Sequence, residues 1–209
     1  MVAMAYPKVF AANEDADQDA LLIERALDND IAAFESLVAR YQTRITAYAA
    51  RMLGSVDDAE DVAQETFIKA YRSLDSFRGA SSFSTWLYRI TTNLCIDRAR
   101  AKKRRPQSAY SLDEPFDSDD ASSTREIADF SQEPMRGVER DELRRQVRET
   151  VMEMPDKLRA VLVMCDIQGM AYEQIAQVLE CPIGTVKSRL FHARADLARR
   201  LRPYMNGAK

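Results

Sequence analysis

Apolar residues recur at helical intervals through most of the chain. Phe34, Leu37, Val38, Tyr41, Ile45, Tyr48 and Met52 follow steps of 3, 1, 3, 4, 3 and 4, which is one buried stripe of a helix. Asp30 stands where it can cap that helix, and Gly54 where it can end it. A shorter helix precedes it, capped at Asp19 and carrying Leu21, Leu22, Ile23, Ala26 and Leu27. A third, from about Asp57 to Leu74, turns Ala63, Phe67, Ala70, Tyr71 and Leu74 inward. A fourth runs from Phe83 through Arg105, with Phe83, Leu87, Ile90 and Leu94 at steps of 4, 3 and 4, and Trp86, Arg89 and Asn93 off that stripe. Val138 to Met154 forms a fifth, with Leu143, Val147, Thr150, Val151 and Met154 on one face. Pro155 restarts the chain into a sixth, Asp156 to about Asp166, burying Leu158, Val161, Leu162 and Cys165 before Gly169 closes it. The predicted fold is all-α.

The last stretch, Ala171 to Leu201, reads as two helices joined by a tight turn. Ile175, Ala176, Val178 and Leu179 form an apolar stripe, with Ala176 small where a second helix must pass close by. Cys181-Pro182 breaks the run, because proline lacks an N–H and restricts the residue before it, and Pro182 suits the first turn of the next helix. Val186, Leu190, Ala193 and Leu197 then share one face, while Lys187, Ser188, Arg189 and His192 lie off it. This is the helix-turn-helix plan, whose second helix enters the major groove with its early residues against base edges. Glu180 departs from it by standing in the turn where glycine is often found.

Charge changes the picture through its distribution. The total is −3, yet residues 1–105 balance 15 cations with 15 anions, residues 106–140 carry 3 and 9, and residues 141–209 carry 12 and 9. From Ile183 to Lys209 there are 7 cations against Asp196 alone, so a near-neutral total does not argue against a nucleic-acid partner. Six cations in the eight residues ending at Arg105 exceed what a helix C-terminus needs, and with Trp86, Arg89 and Asn93 they suggest a platform for single-stranded DNA. Early in the third helix, Asp58, Asp61, Gln64 and Glu65 complement the helix dipole, and their shared edge also suits docking to a basic partner.

Pro106 to about Pro134 is rich in proline, serine and acids without apolar period, and reads as a flexible linker. The expected organisation is therefore a tail at 1–18, a helical domain at 19–105, an acidic linker at 106–137 and a helix-turn-helix domain at 138–209. Cys95, Cys165 and Cys181 are far apart and the chain holds one histidine, so neither a zinc site nor a disulfide framework is expected, and a reducing cytoplasm fits. No apolar run approaches the roughly 18 residues that span a bilayer, and no signal peptide is apparent, so no direct membrane insertion is expected. No nucleophile, base and orienter gather in the sequence. Neither catalysis, a cofactor, a metal nor a small-molecule substrate is expected.

Three tracts carry a resemblance: DVAQETFIKAYRSLDSFRG at 61–79, FSTWLYRITTNLCIDRAR at 83–100 and YEQIAQVLECPIGTVKSRLF at 172–191. In their order and spacing they resemble an extracytoplasmic-function sigma factor, of the sigma-70 family of bacterial transcription initiation factors. The resemblance implies that Asp58, Asp61, Gln64 and Glu65 meet the clamp helices of the largest catalytic subunit of core RNA polymerase. It implies that Ser82, Trp86, Arg89 and Asn93 recognise and open the minus-ten element, and that Lys187, Ser188, Arg189, Phe191, His192 and Arg194 read the minus-thirty-five element. It further implies a linker threading the polymerase cleft and an anti-sigma factor as regulator. The alternative is a polymerase-independent helix-turn-helix regulator, which would leave the Asp61–Leu74 edge and the Trp86–Arg105 platform unexplained.

Overall fold

The computed structural model describes residues 14–104 and 134–206, and among them every regular element is helical. The expected tail lies outside these residues up to 13, and the expected linker lies outside them up to 133.

Helix α1 spans Glu14–Leu27, starting before Asp19. Asp19 is therefore not a cap. It is only 6% exposed, accepting hydrogen bonds from Arg40 (2.6 Å) and from the Tyr41 hydroxyl of the next helix. A buried carboxylate persists only when paired in this way. Helix α2, Ile31–Leu53, begins as expected: Asp30 accepts from the Ala33 N–H at 3.2 Å. Gly54 ends it at φ +71°, donating to the Ala50 carbonyl at 2.8 Å. Helix α3, Val56–Arg72, is capped by the Ser55 hydroxyl and passes into a single 3-10 turn at Leu74–Ser76. Helix α4 spans Phe83–Arg104, with the Ser82 hydroxyl accepting from the Thr85 N–H at 3.1 Å. Leu37, Ile45 and Leu87 are fully buried, each contributing roughly 1.5–3 kcal/mol of transfer free energy.

The C-terminal unit begins with α5, Pro134–Glu153, four residues before the expected start at Val138 and on a proline suited to a first turn. Helix α6 covers Asp156–Leu162 and continues as a π-helical turn, Val163–Ile167, that Gly169 follows at φ +67°. Helices α7, Tyr172–Val178, and α8, Ile183–Asn206, form the helix-turn-helix. Ile175 and Val178 bury themselves with Val186, Leu190 and Ala193, while Ala176 packs at the margin.

Two helical units are present, as the apolar pattern indicates, yet one continuous core runs from Ile23 to Ala193. Helix α4 packs on α7, and α2 packs on α5 and α6. The sharpest link is Arg159 of α6, 3% exposed, which donates to the carbonyls of Val151, Met152 and Met154 in its own unit and of Met52 in α2.

Candidate nucleic-acid and polymerase interface

Three groups of side chains were expected to carry function, and the fold puts them on α3, α4 and α8. On α3, the Ser55 cap orients a first turn rich in carboxylates, so the helix dipole and the cap favour the same end. Asp58 and Asp61 are not idle acids. Arg98 of α4 reaches both, its Nε 3.0 Å from Asp58 and its Nη2 2.7 Å from Asp61, while Lys102 stands 3.6 Å from Asp58. The Arg98 guanidinium holds the Asp58 carboxyl below the usual carboxylate range, and the two carboxylates, Asp61 first, raise the Arg98 pKa in return. Asp58 turns inward. Asp61 keeps 62% of its side chain exposed, and Gln64 is exposed beside it. Glu65 pairs with Lys69 one turn on, at 3.0 Å.

On α4 the four expected residues divide. The Ser82 hydroxyl is committed to the helix start, bonding the Thr85 N–H and hydroxyl and that of Ser84. Trp86 corrects the sequence reading: it is 6% exposed, with its ring 5.2 Å from Phe77 and 5.7 Å from Phe83. It lies on the buried side because the aromatic cluster after α3 closes over it, a contact that periodicity within one helix does not reveal. In this state its face is not open to a base. Arg89 is partly exposed and its Nη1 lies 3.3 Å from the Glu180 carboxylate, in the turn of the helix-turn-helix.

Asn93 is exposed on a cleft of about 420 Å³, walled by Ile90, Leu94 and the Asp97 carboxylate of α4 and by Lys69, Arg72 and Ser73 from the end of α3. Sequence reasoning did not single out Lys69 and Arg72 as members of this site. Their spacing of three on one helix was the available signal. What joins them to Asn93 is the packing of α3 on α4.

On α8 the partition is as the pattern indicated. Val186, Leu190 and Ala193 are buried, whereas Lys187, Ser188, Phe191 and His192 face solvent. Phe191 is 70% exposed, and its ring lies edge-on to His192 at 5.6 Å. Arg189 is partly covered, with Nη1 3.8 Å from the Cys181 sulfur. Arg194 stands apart. It pairs with both carboxylate oxygens of Asp166, one at 3.0 Å, so its charge is used within the unit and its pKa is raised, chiefly by that hydrogen bonding.

Chemically, these surfaces offer a carboxylate-and-amide edge, a cleft with two cations, one carboxylate and an amide, and a helix with cations and an aromatic ring aimed outward beside a Ser188 hydroxyl that donates to the Thr185 carbonyl at 3.0 Å. Among the described residues no group of His, Cys, Asp and Glu could hold a metal ion.

Comparisons with known proteins follow these surfaces. The Sigma-70 region 2 family matches residues 37–105 and Sigma-70 region 4 matches residues 144–197. The chain is 40% identical over 195 residues to the RNA polymerase sigma-H factor of Pseudomonas aeruginosa, covering 92% of this chain and 98% of that one. It is 38% identical over 187 residues to the ECF RNA polymerase sigma-E factor of Haemophilus influenzae, covering 90% and 97%. Among solved structures, CnrH in complex with the cytosolic domain of CnrY superposes with a TM-score of 0.63 at 30% identity, covering 90% of this chain and 99% of that chain.

Proposed function

The chain belongs to the sigma-70 family of RNA polymerase sigma factors, in the extracytoplasmic-function group, and directs core polymerase to promoters; from that premise we propose how its residues share the work. Asp61 and Gln64, with Glu65 and Asp58 behind them, dock on the basic clamp helices of the largest polymerase subunit. The α4 cleft takes the minus-ten element: Asn93 hydrogen-bonds an unstacked base while Lys69, Arg72 and Arg89 follow the phosphates. Capturing the extruded base offsets a few kcal/mol of unstacking. Trp86 supports the helix from within, and Ser82 starts it.

The recognition helix α8 reads the minus-thirty-five element in the major groove. Arg189 and Lys187 match guanine O6 and N7, Ser188 bonds either base edge, and the Phe191 ring meets a thymine methyl. His192 adds a ring nitrogen, while Arg194 orients the helix through Asp166. The observation that most supports this assignment is the clean partition of α8: its apolar stripe is buried and Lys187, Ser188, Phe191 and His192 are left outward. Nothing in this scheme makes or breaks a covalent bond; specificity and melting both come from differential binding. Tethering two modest DNA contacts on one polymerase raises the effective concentration of each for its element.

The proposal places the protein in the cytoplasm with polymerase and promoter DNA; among the described residues no helix is long and apolar enough to cross a membrane. An anti-sigma factor as regulator belongs to the same reading, as the resemblance to the family implies. Replacing Asp61 and Gln64 with alanine should leave the far-ultraviolet helical signal intact and abolish retention of the chain by immobilised core polymerase. Undiminished retention of this variant would remove the α3 edge from the polymerase contact; a wild-type chain that core polymerase does not retain, while promoter DNA is still bound by the free chain, would instead support a polymerase-independent regulator.

A further inference from the structure

We propose that His192 is a specificity-determining residue of α8, and that its proton sets which base it prefers in the minus-thirty-five element. This role rests on α8 reading that element and fixes how one of its contacts is made. His192 is the chain's one histidine, the side-chain type whose charge ordinarily changes near neutral pH. It is exposed on the outward face of α8, one turn after Ser188, while Leu190 and Ala193 on the other side are buried. Its ring meets the exposed Phe191 ring at 5.6 Å with the planes 74° apart. Among the described residues no hydrogen bond or ion pair engages either ring nitrogen.

The charged groups around it are committed elsewhere. On α8, Asp196 stands one turn on and is held by Arg199 and Arg200, the latter at 3.0 Å. Arg189, one turn back, lies 3.8 Å from the Cys181 sulfur. Of the elements packed on α8, α5 turns Glu153 to Arg200, and the π-helical turn after α6 turns Asp166 to Arg194. The turn before α8 gives Glu180 to Arg89. Helix α7 sets Tyr172 near Arg194 and leaves Glu173 exposed. With no carboxylate of the described residues paired to the ring, the bound DNA decides whether His192 carries its second proton.

The two protonation states match different bases. A neutral imidazole offers one N–H and one lone pair, whereas an imidazolium offers two N–H donors and no acceptor. In the major groove guanine presents acceptors alone, N7 and O6, while adenine sets its N6 amino donor beside N7. The lone pair of the neutral ring can accept from the adenine amino group. Protonation removes that match and adds a donor suited to guanine. Phosphates beside the groove favour the charged ring as well, because an opposite charge stabilises it. A guanine complex thus holds a proton that an adenine complex does not. By linkage the state that holds more protons gains as pH falls, so the preference moves toward guanine in acid and toward adenine in base.

Selection of DNA by the full chain bound to core polymerase tests this. A duplex library randomised over both promoter elements is selected at about pH 6 and at about pH 8, on either side of the ordinary imidazole value, and the bound pool is sequenced. Wild type should show, at one position of the minus-thirty-five element, a guanine-to-adenine ratio about fivefold or more higher at the lower pH, the lower end of what one good base contact discriminates. His192→Arg, always charged and donor-only, should favour guanine equally at both. His192→Gln keeps a donor and an acceptor at either pH and should favour adenine equally at both. A wild-type ratio that does not move with pH, while His192→Ala alters preference at that position, would overturn the role of the proton and leave the contact standing. The same pH shift in His192→Gln would trace it to another group and overturn the proposal too. Identical pools from wild type and all three variants would remove His192 from the reading. Absence of any preference upstream of the minus-ten element, in every protein, would instead overturn the assignment of α8 itself.

Discussion

A single guanidinium shows how a buried charge can organise a fold. Arg159 is almost wholly buried, and its five donors in a rigid fork meet four backbone carbonyls that would otherwise face apolar surroundings. Asp156 lies 3.5 Å away, and burial depresses the Arg159 pKa while Asp156 opposes that shift. Changing Arg159 to methionine keeps much of the volume but orphans those carbonyls, at a cost of about 1–3 kcal/mol for each that water cannot reach. Loss of roughly 3–5 kcal/mol in urea unfolding is expected; Arg159→Lys should recover only part of it, because an ammonium is a point charge without the planar fork. A stability change within about 0.5 kcal/mol, the range of an ordinary surface substitution, would show the fork to be dispensable.

Between elements, the Arg98 bridge to Asp58 and Asp61 ties the start of α3 to the far half of α4, the two helices that wall the Asn93 cleft. Its pH dependence has a definite sign. The Asp58 carboxyl is lowered in the folded state, so its contribution is present above the unfolded value near 3.8 and is lost as pH falls through the folded value. Denaturant midpoints followed from pH 6 to pH 3 should therefore fall less steeply for Asp58→Asn than for wild type. Parallel profiles would mean that the bridge is as strong in the unfolded chain as in the folded one. Both carboxylates were expected to meet polymerase, and the geometry divides them: Asp58 serves the helix pair, while Asp61 is paired yet open to a partner. In the same way Arg194, expected among the cations of the reading helix, is drawn onto Asp166.

At the scale of the whole molecule, the two units share one core, and this shapes how the protein should unfold. Cooperativity follows continuity of packing, so a core running from Ile23 to Ala193 predicts one calorimetric transition rather than two. A double variant, Met152→Asp with Glu180→Arg, puts a carboxylate beside Asp58 and Asp156 in the crevice between the units and breaks the Arg89–Glu180 pair, so it should split the endotherm into two smaller ones. Two transitions already present in wild type would mean that the units unfold independently.

Periodicity within the chain was enough for the all-α class, for the cap at Asp30, for the end of α2 at Gly54 and for the partition of α8, because each depends on residues within a turn or two of one another. The three family tracts were legible for the same reason, as local strings of fixed spacing. What no string contained was the meeting of distant segments. Trp86 is buried by Phe77 and Phe83 across a bend, Lys69 and Arg72 reach Asn93 only because α3 lies on α4, and Asp19 is drawn into helix α1 to meet Arg40. The packing of one unit on the other was equally invisible in one dimension. Contacts of long sequence separation are set by the summed burial of many faces at once, so only the tertiary structure decided which polar residues stay free for DNA and polymerase and which the fold keeps for itself.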